Sequence, residues 1–294
     1  MTNLGIGEKE KKIKNQTINH NRSNLHIPTI IAIAIVVWAI SNAGHEIIGH
    51  GGVCVLQGYE PVRVSTSFFH CEASGSTFWE LKARVAGGTV FNLALALLCL
   101  LLLRSRKVTN PRTNYFLWAL MSVCLFYSAS YLMGWFIGPT LDWALFLNGL
   151  EPLLLWKIGF IAVGLLILGV GFQLSRKYLE PFLGDQESER RRRMTSLTLI
   201  PYLTAIALKV SAGFMNPMPD KMLIFLGSFG ATAFFLIWLN FVRFWPFAKQ
   251  TASSQEAADL GLSIPWLVIG LVALILFVVI LGPGIGQLPP QILD

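Results

Sequence analysis

Charged side chains are scarce in this chain. Only 13% of its 294 residues are Asp, Glu, Lys or Arg, against about 25% in a soluble domain. That deficit, with several long uncharged runs, excludes a water-soluble globular fold and predicts a polytopic membrane protein. Cysteine is sparse as well. Cys54, Cys71, Cys99 and Cys124 show no C-x-x-C spacing, which excludes a site built on that motif. Cys99 and Cys124 lie inside apolar spans and read as packing residues. Cys54 and Cys71 can meet, but nothing in the sequence demands that they bond. The two halves of the chain also lack the internal symmetry that transporters often carry.

The charge that is present is unevenly placed. The formal net charge is +7, and the basic residues gather in Lys9–Lys14 with Arg22, Arg104–Arg112, Arg176–Arg193 and Arg243–Lys249. Each cluster sits between apolar runs, so the pattern speaks for a lipid bilayer and positive-inside topology, and against nucleic acid. Residues 1–26 are polar, basic and free of apolar periodicity. They predict a disordered cytoplasmic tail, to which His20 and His26 are assigned.

Length and hydropathy then predict about seven transmembrane helices, near Ile27–Ile48, Leu81–Leu103, Asn114–Ile137, Pro152–Leu174, Leu197–Phe214, Met222–Phe241 and Ile264–Leu281. A secretory leader is a poor reading of the first. Its basic region is too long, and cleavage after Ala43 would start the chain beside His45. Residues 58–77 alternate partly and are β-branched, predicting a short strand or hairpin. The expected fold is therefore an all-α membrane bundle with one small β segment after the first helix. The tail, 1–26, precedes a core over 27–150 and additional helices over 151–294. With the N-terminus in the cytoplasm every basic loop is cytoplasmic. Odd parity then places the C-terminus, His45, Asp142 and the strand segment towards the extracytoplasmic side.

Within the first apolar run stand His45-Glu46-Ile47-Ile48-Gly49-His50. Ionisable groups at membrane depth are costly unless paired or bound, so they mark function more often than accident. A zinc hydrolase needs three protein ligands, an open position and a base. His-Glu-x-x-His places two histidines four apart on one helix face. Here they are five apart, about 140° around a regular helix. Three geometries answer this: a π-bulge that restores the common face, a helix that ends near Gly49, or Glu46 and His50 as the metal pair. The hexapeptide is similar to His-Glu-Leu-Leu-Gly-His, the zinc motif of a soluble dipeptidyl-peptidase family, so the longer spacing is workable.

Three segments in order resemble the site-2 protease family of intramembrane zinc metallopeptidases. The first is the His45–His50 motif, followed by glycines and the strand-like Val53–Phe69. The second is Ala86-Gly87-Gly88-Thr89-Val90-Phe91-Asn92, similar to the family's small-residue, Asn-containing helix. The third is Gly138-Pro139-Thr140-Leu141-Asp142-Trp143, which resembles a Pro-x-Leu-Asp-Gly segment, with Trp143 standing where the family has glycine. The resemblance covers roughly residues 28–150. It implies a Zn2+ cofactor held by His45, His50 and Asp142, Glu46 as general base, and a membrane protein as substrate. By position, Asn92 is a candidate oxyanion donor or a helix–helix hydrogen-bonding residue, and Val62–Phe68 a strand edge for the unwound substrate.

Several plainer readings stand beside these. His70 and Glu72 are alternative ligands or solvated loop residues, Gly87-Gly88 permits close helix packing, and Lys209, near a span end, snorkels. The rival function is a non-enzymatic polytopic protein, a transporter or assembly factor, whose polar cluster binds metal or substrate. Oligomeric state is not legible.

Overall fold

The computed structural model describes residues 25–138, 141–217, 221–244 and 256–287. Most of the expected tail, the Lys9–Lys14 cluster, Arg22 and His20 lie outside them, as do Pro139 and the stretch beyond Phe244 in the last basic cluster. Among the described residues eight helices follow one another: α1 (Ile27–Leu56), α2 (Phe78–Ser105), α3 (Pro111–Met133), the short α4 (Asp142–Leu147), α5 (Leu153–Leu179), α6 (Glu187–Phe214), α7 (Lys221–Phe241) and α8 (Ile264–Ile280). Six are long and apolar enough to cross a membrane. The chain is a multi-pass, helical, membrane-type protein.

Local chemistry sets the helix starts. Pro28 sits in the first turn of α1, where its missing N–H costs nothing. His26 is not part of a tail: its ring accepts the Thr29 N–H at 3.3 Å and caps this helix. Thr77 and Glu80 form a reciprocal capping box at the start of α2. Asn110 accepts from the Arg112 and Thr113 N–H groups at the start of α3.

Helix α3 is the hub of the bundle, burying 78% of its most apolar stretch where α5 buries 11%. On α5, Leu154, Leu155 and Leu166 are each about two-thirds exposed. A run of that kind would be an aggregation liability in water and is ordinary against lipid.

The seventh apolar helix, Ile264–Ile280, falls within one residue of the expected Ile264–Leu281 but is shorter than the six spans, and it joins both ends of the bundle. At one end Leu25 bridges Leu260, and the His26 N–H reaches the Leu260 carbonyl at 3.0 Å. At the other, the Thr66 N–H reaches the Leu281 carbonyl at 3.2 Å. There the chain adds a strand to the hairpin. β1 (Glu60–Val64) pairs antiparallel with β2 (Phe69–Glu72) on one side and with β3 (Ile285–Gly286) on the other. Arg63 secures β3 by donating to the carbonyls of Gly286 and Pro283.

Two expectations change here. Val62–Phe68 is not an edge strand, because β1 is central and Ser65–Phe68 is a turn closed on the Ser65 hydroxyl. The edges belong to β2 and to the two-residue β3. Cys54 and Cys71, whose pairing the sequence did not demand, form a disulfide that ties the end of α1 to β2.

This connectivity sorts the molecule by end. Arg112 bonds to the Gly261 carbonyl and Arg193 to those of Phe182 and Ala258, so the basic loops gather with the start of α1. The hairpin, α4 and β3 occupy the other end. Single cysteines replacing Ser74 and Lys107 are therefore expected to react with a membrane-impermeant maleimide from opposite faces of a sealed vesicle. Labelling of both from one face would overturn the arrangement.

Candidate metal centre

The six residues His45–His50 form a π-helical turn inside α1, and the Gly51 N–H reaches back five residues to the Glu46 carbonyl. An i→i+5 turn widens the helix by one residue and restores residues five apart to a common face. Of the three geometries open to the sequence, the π-bulge is the one present. The two imidazoles meet with ring centroids 4.8 Å apart, nearly perpendicular.

Glycines allow the wide turn to sit against α2. A Cβ at Gly49 would lie 2.5 Å from the Gly88 Cα and 2.8 Å from the Gly87 carbonyl oxygen. A Cβ at Gly88 would enter the His45 ring. The close packing expected of Gly87-Gly88 is thus made against the metal-motif helix itself.

Asp142 arrives from α4. Its Oδ2 lies 3.2 Å from His45 Nε2 and 3.1 Å from His50 Nε2. One ligand atom from each of the three residues falls within 4.8 Å of the others. Donors in a tetrahedral metal shell stand about 3.3 Å apart, so the set could hold a metal ion. Burial alone would raise the Asp142 carboxyl, but the two imidazoles bonded to it hold it well below the usual carboxylate range.

The surrounding contacts decide which ring nitrogens a metal would meet. His50 Nδ1 donates to the Arg84 carbonyl at 2.7 Å and Nε2–H to Asp142 at 3.1 Å, so a bound metal would take the place of the Nε2 proton. Asn92 Nδ2 lies 3.4 Å from His45 Nδ1, while Asn92 Oδ1 is buried without a partner. A half-turn of this amide, whose two ends have nearly the same shape, gives the orphaned oxygen the His45 Nδ1–H, and a bound metal would then take Nε2 from its contact with Asp142. Asn92 therefore touches the rear of His45.

Helix α4 is fixed at both ends. Its first N–H faces the Tyr131 hydroxyl at 3.5 Å, and the Lys82 ammonium binds the carbonyls of Leu145 (2.7 Å) and Asn148 (2.5 Å) at its close. Trp143 is buried and donates from its indole N–H to Thr89 at 3.0 Å. A tryptophan here staples the Asp142 helix to α2.

Glu46, buried and next to His45 in the turn, opens with His50 and Asp142 onto a cavity of about 400 Å3. The hairpin turn and β2 form its opposite wall through Phe68, Phe69, His70 and Cys71. His70 lines the cavity but lies outside the three-residue cluster, and Glu72 is at the exposed end of β2.

Lys209 does not snorkel. It is buried at the back of the site, where its ammonium binds the Thr66 carbonyl and Asn42 Oδ1 and attracts the Glu46 carboxylate. Lys209, Lys82 and the Arg84 carbonyl all escape sequence reasoning. The one available signal is that two lysines interrupt apolar stretches, and it does not say what they bond.

Comparison with protein-family models, curated proteins and solved structures gives no match. What defines the protein is its own architecture, a multi-pass helical bundle with a metal-capable His–His–Asp cluster at one end. Because a methyl group at Gly88 displaces the His45 ring, Gly88→Ala should retain the fold and lose about ten-fold or more in zinc affinity, read by metal titration of the purified protein. Unchanged affinity would refute the role given to this contact.

Proposed function

We propose that this chain is an intramembrane zinc metalloprotease that hydrolyses peptide bonds of membrane-embedded or membrane-adjacent proteins. One observation carries the reading. The π-turn aims His45 and His50 at Asp142 and leaves the intervening Glu46 facing the same cavity. Structural ion clusters need no carboxylate poised beside an accessible cavity; a hydrolase does.

His45 Nε2, His50 Nε2 and the Asp142 carboxylate are the atoms that would hold the ion. A zinc ion there supplies Lewis acidity and lowers the pKa of water near neutrality. Glu46 takes the proton of the attacking water and returns it to the leaving amine. Tyr131, whose hydroxyl borders the cavity, donates to the developing oxyanion, a role that suits it better than Asn92. Asn92 instead orients His45.

A helical substrate must unwind before its carbonyls become accessible. The free edge of β2, which lines the cavity, suits an extended segment by strand addition. The positive-inside pattern supports a cytoplasmic N-terminus, and the Cys54–Cys71 disulfide supports an oxidising, extracytoplasmic setting for the site.

The test pairs metal content with cleavage of single-span membrane proteins reconstituted beside the enzyme. The parent is expected to hold zinc near one equivalent. Glu46→Gln should keep the metal and lose about 10²–10⁴ in rate. Tyr131→Phe should keep the metal and lower kcat, and Asp142→Asn should weaken metal binding. Parent protein that stays metal-free after zinc loading overturns the reading. Stoichiometric zinc without cleavage of any such protein returns the non-enzymatic rival.

A further inference from the structure

A second cavity, of about 570 Å3, lies where α2 ends at Ser105 and α3 begins, beside the end of α5. From Gly88, against His45, to Arg106 is eighteen residues of chain, about 27 Å along the helix. That is close to the thickness of the hydrocarbon core, about 30 Å. The cavity therefore sits at headgroup depth on the face opposite the metal cluster, independent of whatever that cluster does.

Its lining divides by chemistry. Leu103, Tyr178 and Phe182 form an apolar side, while Arg106, Lys177 and Thr109 bring two cations and a hydroxyl. Among the described residues no carboxylate lines it. Among the described acids of this end Asp259 pairs with Arg112, Glu180 with Arg190, Glu187 with Arg191 and Glu189 with Arg193, while Asp185 and Glu256 stand outside the lining. Arg106 and Lys177 thus share one opening whose described lining holds no anion.

The backbone adds a separate observation. Arg106 ends α2 in the left-handed region, with φ 55°, and it is the only non-glycine residue with positive φ among the described residues. Glycine takes that position at least cost. An arginine kept in a strained conformation points to a use for its side chain.

We infer that this cavity binds the phosphate-bearing head of an anionic phospholipid. Arg106 and Lys177 engage the phosphate, and the glycerol and first acyl carbons lie over Leu103, Tyr178 and Phe182. The apolar side and the headgroup depth favour a lipid over a soluble phosphate.

The experiment compares full-length protein reconstituted in nanodiscs of phosphatidylcholine alone and of phosphatidylcholine with phosphatidylglycerol in equal parts. Retained lipid is read by native mass spectrometry. The parent should retain phosphatidylglycerol in preference to phosphatidylcholine. Arg106→Gly and Lys177→Gln should each weaken that retention about five-fold, and Arg192→Gln, an exposed arginine outside the cavity, should leave it unchanged. Arg106→Gly also relieves the backbone, so its Tm in phosphatidylcholine discs should equal or exceed the parent's, which separates lost binding from lost folding. Equal retention of the two lipids by the parent, or full retention by both cavity variants, overturns the proposal. So does displacement of phosphatidylglycerol by millimolar inorganic phosphate, which would make the cavity a soluble-anion site.

Discussion

The approach of Gly49 to Gly87 and Gly88 is the contact on which the rest of the structure depends. Lipid provides no hydrophobic drive between helices, so α1 and α2 associate by packing, and small residues let their backbones touch. A π-turn is a weak element on its own, with a wide bore and poor internal contact. Pressed against two glycines, it has a complementary surface, and His45 rests directly over Gly88. The unusual histidine spacing and the glycine pair are thus two halves of one device. A longer spacing without the glycines would splay the imidazoles, and the glycines without the longer spacing would have nothing to receive.

Much of the bundle was legible because apolar runs longer than a membrane is thick admit one reading in lipid. The hairpin was legible from its β-branched alternation. The site was legible in its parts but not in its geometry. Residue types named His45, His50 and Glu46, yet bulge, helix end and Glu46–His50 pairing share the same letters. Only the Gly51-to-Glu46 backbone bond tells them apart. Asp142 came from resemblance alone, since one carboxylate in a loop carries no spacing signal. β3, the Cys54–Cys71 bond and the burial of Lys209 join residues that no local pattern connects. Lys209 reads as snorkelling from its position near a span end, and only the placement of Thr66 and Asn42 around it reverses that.

Four buried cations at the site end share a task. Lys82 closes α4, Lys209 holds the hairpin turn, Arg63 binds the strand after α8, and Arg84 donates to Gln57 and Ser76 while lending its own carbonyl to His50. Each serves backbone or neutral side-chain oxygens where the chain departs from helix. Irregular backbone at membrane depth has no water to satisfy it, so the protein brings its own donors. Desolvating these cations is costly, and the carbonyls they bind offset that cost while fixing the loops in one arrangement.

The three-stranded sheet has a consequence for the order of assembly. Arg63 and Gly286 are 223 residues apart in the chain, and contacts of such separation form late because a large loop must close first. During synthesis the first two helices can insert and the hairpin can fold, but β1 keeps an open edge until the last helix has entered the membrane. The sheet whose β2 walls the cavity is thus completed by a strand far along the chain, which pairs with β1 on the side away from β2. A chain that has made the hairpin but not β3 would hold His45, His50 and Asp142 beside a sheet still open on one side, so the His–His–Asp end is fastened to the rest of the bundle late.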